Sequence, residues 1–195
     1  MAVEGEVLQE GEPEELDPRE AAELRARRRV ALAQIRQYPD TALRLRANEV
    51  SEFDETLARL ARRLADLMRD ARGVGLAATQ VGVLQRMFVF QREEDDDATA
   101  VVNPTLTERS SQTDVHEEGC LSLQGVLVPV ERSVAVTLEG HDVTGSPLRL
   151  RLDDIDARVV QHELDHLDGV LMLERTDPES RREALATLRR GLRGG

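Results

Sequence analysis

The chain has no lysine, no tryptophan, one tyrosine, three phenylalanines and one cysteine among its 195 residues. With aromatics at 2%, a core must be filled by Leu, Val, Ile and Ala, which the sequence holds in quantity. A lone cysteine excludes an internal disulfide, so Cys120 is a buried filler, a reactive thiol or a metal ligand. With lysine absent, all 26 basic residues are arginine, which reads as a compositional bias and carries no function. Long apolar runs are also missing. No stretch approaches the roughly 20 apolar residues of a membrane span, and nothing near the N-terminus has the basic start and apolar run of a signal peptide. No membrane partner is therefore expected, and the cytoplasm is the expected compartment. The net charge of -12 excludes a general DNA or RNA binder, because a basic footprint supplies most of the affinity for phosphate backbones.

What is present fits one domain with tails. Residues 1–28 read as an acidic, flexible extension; within 1–25 there are nine acids against two arginines, together with Pro13 and Pro18. Residues 29–176 form the globular body, and 177–195 an Arg-rich C-terminal helix or tail. Ser51 followed by Asp54 makes a capping-box-like start, after which Phe53, Leu57, Leu60, Leu64 and Leu67 mark one face of a helix that stops at Gly73. The run Gly73-Val74-Gly75-Leu76-Ala77-Ala78-Thr79-Gln80 is too short in side chains for ordinary core, so backbone must approach something closely there. Short β-rich segments follow: Met87 to Phe90, Ala100 to Val102, Val126 to Val128, Val134 to Leu138, and the alternating Leu148, Leu150 and Leu152. Glu93 to Asp97 reads as a solvated loop, and Gly140 to Gly145 as a hairpin connection. A second helix is expected from Asp153 to Leu167 with Ile155, Val159, Val160 and Leu164 inward. A third starts at Asp177-Pro178-Glu179, with Ala184, Leu185 and Leu188 along one face. Strands in runs followed by a helix predict an α+β fold with antiparallel sheets around that second helix.

The second helix carries His162-Glu163-Leu164-Asp165-His166. Residues four apart share a helix face, so both imidazoles can reach one ion, and Glu163 stands beside the first to handle a proton of activated water. A polar helix surface is the bland alternative. A catalytic ion typically takes three protein ligands and keeps an open position. Extended zinc-protease patterns place a histidine where this chain has Met172, and His116 and His141 fall in a polar loop segment and in the hairpin connection. Cys120, in Glu118-Gly119-Cys120-Leu121-Ser122, is the better third ligand, since a thiolate with two imidazoles suits a borderline-soft divalent ion. A small core cysteine is the alternative there.

GVGLAATQ, EGCLS and QHELDHLDG, in that order, resemble the three signature motifs of bacterial peptide deformylases, and the resemblance runs from about Ile35 to Leu173. It implies a catalytic domain that removes the N-formyl group from the formyl-methionine of nascent polypeptides. By position it implies that Cys120, His162 and His166 hold one divalent metal ion, Fe²⁺ by resemblance, with Zn²⁺, Ni²⁺ or Co²⁺ able to replace it. Glu163 would be general base and then acid, and the Gln80 amide and the Leu121 N–H would stabilise the oxyanion. Gly75 and Gly119 would bond the peptide backbone, and Val74, Leu121 and Val159 would line the methionine pocket. Two departures stand out: Ser122 is followed by Leu123-Gln124-Gly125 without the family's proline, and Val128-Pro129 by Val130 rather than arginine, leaving Arg132 as the arginine available to replace it. Arg181, Arg182, Arg189, Arg190 and Arg193 form a basic cluster; a C-terminal helix docks on the ribosome in some deformylases, so the resemblance offers ribosome contact here, with a plain solvated helix face as the favoured alternative. The alternatives are a catalytically silent peptide- or ribosome-binding relative, and an HExxH peptidase using Glu174, Glu179 or Glu183 as third ligand.

Overall fold

The computed structural model describes residues 17–92 and 97–193. The acidic head up to residue 16 and most of the loop expected at Glu93 to Asp97 lie outside them.

The first described element corrects an expectation. Instead of a flexible extension to residue 28, a helix, α1 (Pro18–Leu32), begins at Asp17, whose side chain accepts the Arg19 N–H at 2.8 Å. Pro18 in the first turn is preorganised for this start. The helix has little apolar face, so periodicity does not announce it. It is docked instead through its last turns. Ala31 is buried, Leu32 packs beside it, and Arg28 Nε donates to the Ala71 carbonyl at 3.2 Å.

Helix α2 (Glu55–Asp70) is capped by Asp54, not Ser51; the Asp54 carboxylate accepts the Leu57 N–H at 2.9 Å. Leu57, Ala61, Leu64, Leu67 and Met68 are buried, each fully buried leucine contributing roughly 1.5–3 kcal/mol. The helix ends in a Schellman arrangement: Gly73 N–H donates to Met68 O at 2.8 Å and Arg72 N–H to Arg69 O at 2.9 Å. The left-handed residue is Arg72, with φ of 61°, rather than a glycine.

Among the described residues seven strands follow: β1 (Gly75–Ala77), β2 (Met87–Phe90), β3 (Thr99–Arg109), β4 (Thr113–Glu118), β5 (Val128–Ser133), β6 (Ala135–His141) and β7 (Pro147–Asp153). An antiparallel five-stranded sheet runs β1-β2-β3-β6-β7, and β4 pairs with β5 in a separate ribbon. β1 is thus an edge strand with one side free of sheet partners. Four sequence expectations change here. Leu76, Ala77 and Ala78 are fully buried core, forming β1 and the start of a 3-10 turn, Ala78–Val81. Thr113 to Glu118, polar and without apolar alternation, is a strand, so His116 stands in β4 and not in a loop. His141 closes β6 rather than lying in the connection beyond it, and Val126 precedes β5.

Helix α3 (Asp154–Leu167) crosses the structure against β1, β2, β5, β6 and β7. Val160 and Leu167 pack with Phe88, Phe90, Leu138 and Leu152, while Ile155, expected inward, is 55% exposed. Its position in the first turn carries it past the sheet edge. Helix α4 (Pro178–Arg193) is capped by Asp177 Oδ1, which accepts the Glu179 and Ser180 N–H groups at 2.9 and 3.0 Å. Ala184, Leu185 and Leu188 pack it onto Leu171, Leu173 and Val130, so this segment is part of the body. Antiparallel sheets around one central helix, with helices from both ends of the chain added, make an α+β fold. Among the described residues no helix is long and apolar enough to cross a membrane.

Candidate active site

Helix α3 puts His162 and His166 on one face, one turn apart, with their Nε2 atoms 3.2 Å from each other. The loop leaving β4 brings Cys120 Sγ to 3.2 Å from His166 Nε2. The three ligand atoms lie within 4.8 Å of one another, and no other group of His, Cys, Asp or Glu converges this way among the described residues. The Nε2 separation is close to the roughly 3.3 Å that two nitrogens about 2.0–2.1 Å from a tetrahedral ion would show, and the donor set suits a borderline-soft divalent cation. The residues therefore fit a metal. His116 instead pairs with Asp114 at 3.1 Å, and His141 packs against Phe53 with ring centroids 5.6 Å apart. Glu174 is bound to Arg44, while Glu179 and Glu183 are exposed on α4.

Behind His162 lies a buried charge network that the sequence reading missed. Glu118 Oε2 is 2.9 Å from His162 Nδ1, which leaves Nε2 to face Cys120 and His166. Arg132 holds the same carboxylate through both oxygens, at 2.9 and 3.0 Å, and donates to Asp165 at 2.6 Å. Arg158 adds a bond to Glu118 Oε1 at 2.9 Å, and Arg175 grips Asp165 from outside. Burial pushes the Glu118 carboxyl up, but the hydrogen bonds from His162 and Arg132 outweigh it and hold the group at about 2. Arg132 is 6% exposed within this network and does not line the cleft, so it does not replace the missing substrate-side arginine. A clue to Glu118 lay in its place two residues before Cys120. Arg132 and Arg158 had no local cue.

Glu163 is 4% exposed, and its Oε2 has no hydrogen-bond partner. Burial pushes its pKa up to about 7; His162 pulls it down and Glu118 adds to the rise. Burial opposes charge on both histidines, but Cys120 and Glu118 hold His162 well above the usual histidine range, whereas His162 drives His166 further below it. Gln80, 1% exposed in the turn after β1, accepts the Ala77 N–H at 2.8 Å through Oε1. Its Nε2 lies 3.1 Å from Ser122 Oγ and 3.6 Å from Cys120 Sγ, which aims an amide donor at the cluster. Leu121 follows Cys120, its carbonyl accepting from Gln37 Nε2 at 3.0 Å.

These groups open onto a cleft of about 610 Å³. Gly75, Gly119, Leu121 and Val159 line it, and Val74 stands at its rim with Leu127 and Ile155, at 58%, 62% and 55% exposure. An apolar mouth over a polar floor is the usual form of a small-substrate site.

A model of the polypeptide deformylase family matches residues 32–182. The chain is 42% identical over 162 residues to peptide deformylase 1 of Corynebacterium glutamicum, covering 82% of this chain and 96% of that one. It is 41% identical over 163 residues to the peptide deformylase of Thermotoga neapolitana, covering 82% and 98%. The crystal structure of the Legionella pneumophila peptide deformylase matches with a TM-score of 0.77 and 36% identity, over 82% of this chain and 94% of that one. The Synechococcus elongatus peptide deformylase in complex with actinonin matches with a TM-score of 0.75 and 36% identity, over 78% and 85%. The family is metal-dependent, which agrees with the converging thiol and imidazoles. Matched through both the loop that carries Cys120 and the helix that carries His162 and His166, the chain belongs to the polypeptide deformylase family.

Proposed function

We propose that Cys120, His162 and His166 hold one divalent metal ion and that Glu163 moves the proton in hydrolysis of the N-formyl group of formyl-methionyl nascent peptides. The observation that carries this reading is the orphaned, buried Oε2 of Glu163 beside three converging ligand atoms. Fe²⁺ is the ion we assign, with Zn²⁺, Ni²⁺ and Co²⁺ as replacements for the same donors. When bound, the ion supplies Lewis acidity, lowering the pKa of water and polarising a carbonyl.

The remaining steps belong to the chain. Glu163, pushed up to about 7, accepts a proton from the attacking water and delivers it to the leaving amine, so the products are formate and a free N-terminus. The Gln80 amide and the Leu121 N–H stabilise the charge that develops on the formyl oxygen. The free side of β1 and Gly119 take the peptide as an added strand, and Val74, Leu121 and Val159 receive the methionine side chain. We assign the reaction to the cytoplasm and the ribosome contact to α4, whose Arg182, Arg189 and Arg190 are exposed. A silent peptide-binding relative is not favoured, because Glu163 keeps its buried place at the cluster.

The test is anaerobic purification with elemental analysis, followed by formate release from formyl-Met-Ala peptides by the parent and by Glu163→Gln. The parent should carry about one ion per chain, and the variant should keep the ion while losing roughly 10²–10⁴-fold in rate. A metal-loaded parent that binds the peptide without releasing formate, or that cuts internal peptide bonds, would sink the assignment.

A further inference from the structure

We propose that Arg28 and Arg72 form a subsite, supplied in part by α1, that favours an acidic side chain at the third residue of the formylated peptide, counting formyl-methionine as the first. This rests on the deformylase reading of the cleft. The chemistry end of the cleft is marked by Gly75, which touches Glu163. β1 is the sheet edge, and Gly73, Val74 and Gly75 all line the cleft, so a peptide added to that edge runs from Gly75 back toward Gly73. It advances about 3.3 Å per residue, which sets its first residue beside Gly75 and its third beside Gly73. The residue before Gly73 is Arg72.

Arg72 and Arg28 both line the cleft, and they also line an adjoining hollow of about 310 Å³ together with Arg25. Arg28 is fastened there, since its Nε donates to the carbonyl of Ala71, next to Arg72. Among the described residues neither arginine makes an ion pair, in a chain where many arginines are paired. The other charges of the lining do not cancel them. Glu118 and Arg158 neutralise each other and Glu163 sits at the floor among the metal-ligand atoms, so at the mouth Glu117, on the β4 side, is the one carboxylate of the lining against the two guanidinium groups. Arg28 lies outside residues 32–182, so this half of the subsite is an addition to the family-matched body. A guanidinium presents planar, paired donors to a carboxylate, and two of them discriminate glutamate from lysine by attraction and repulsion alike.

The experiment compares formyl-Met-Ala-Glu-Ser, formyl-Met-Ala-Ala-Ser and formyl-Met-Ala-Lys-Ser, all as C-terminal amides, with the metal-loaded full chain. The glutamate peptide should exceed the lysine peptide in kcat/KM by about fivefold or more, with the difference carried by KM and shrinking as salt is raised. Arg28→Gln should reduce the preference. Because that change also loosens the tie to Ala71, Arg72→Asn is the second variant: asparagine tolerates the left-handed backbone, and α1 keeps its anchor. It too should reduce the preference, and the double variant should abolish it. A parent enzyme that releases formate equally from all three peptides, or a preference that survives both replacements, would overturn the inference while leaving the deformylase reading intact. Failure to release formate from any of the peptides would overturn both.

Discussion

Gly75 lies so close to Glu163 that a Cβ on the glycine would stand 2.4 Å from the carboxylate Oε1 and 2.9 Å from Cγ. Glycine is required there by space and not by backbone conformation, since Gly75 is not among the positive-φ residues. The edge strand that would carry the substrate and the helix that carries the general base are thus in direct contact.

Gly75→Ala should push the Glu163 side chain off its position while leaving Cys120, His162 and His166 in place. Formate release should fall on the order of 100-fold, as expected when a reacting group is displaced by about 1 Å. Elemental analysis should find an unchanged metal content. If activity is retained, the tight packing of Glu163 has no part in its chemistry.

Metal removal should cost stability as well as activity, because the ligands come from two separated segments. At a free ion concentration of 100 times its Kd, binding to the folded state contributes about 2.7 kcal/mol. Thermal unfolding should therefore shift to lower temperature on chelation and recover on adding Ni²⁺ or Co²⁺. In Cys120→Ala the shift should shrink or vanish; an unaltered response to added ion would place the binding elsewhere.

Arg132 is buried between Glu118 and Asp165, so Arg132→Met would leave two buried carboxylates without their main partner. Breaking such a network by removing one member costs about 3–5 kcal/mol. It should also weaken metal binding by roughly 10–100-fold, because Glu118 orients His162. Urea denaturation and competitive metal titration measure the two effects, and a variant as stable as the parent would show that water takes over the role of the guanidinium.

Glu174 provides a pH test away from the cluster. Burial raises its pKa, but the Arg44 hydrogen bond and the Leu171 N–H outweigh this and hold it below the ordinary value of 4.5. A folded-state pKa below the unfolded one means that the stabilisation is fully present above the unfolded value and is lost as pH falls through the folded one. Glu174→Gln should therefore be less stable than the parent at pH 7, by about 0.2–1 kcal/mol for so accessible a pair. The difference in Tm should narrow as the pH falls below 4.5 and close once the folded carboxylate is protonated, and a gap that persists in acid would mean that the carboxylate charge is not its source.

Much of the candidate site was legible because its chemistry is local. Spacing alone puts His162 and His166 on one helical face, and Asp177 caps the helix start where the sequence places it. The apolar run at Met87–Phe90 coincides with β2, because a central strand buried on both faces needs no other cue. The motif order likewise pointed to Cys120, although nothing in the residues alone separated a third ligand from a core cysteine.

Other features depend on partners distant in the chain. β4 has no apolar alternation, and it is a strand because its backbone groups pair with β5 from Glu118↔Val128 to Thr113↔Ser133. α1 lacks an apolar stripe, and capping and helix propensity alone do not hold a short helix until α2 offers a surface. Ile155 sits on the apolar face by period, yet at the end of the helix that face has left the sheet and meets the cleft. Arg132 could have faced substrate or core; its choice was set by Coulomb attraction to Glu118 and Asp165 at contact distance, which no linear spacing encodes. The sequence by itself determined which residues could bind a metal and in what order they come. Only the tertiary structure decided that Cys120 meets His166, that Glu118 orients His162, and that α1 sets Arg28 beside Arg72, because these are contacts between surfaces that exist only once the chain has folded.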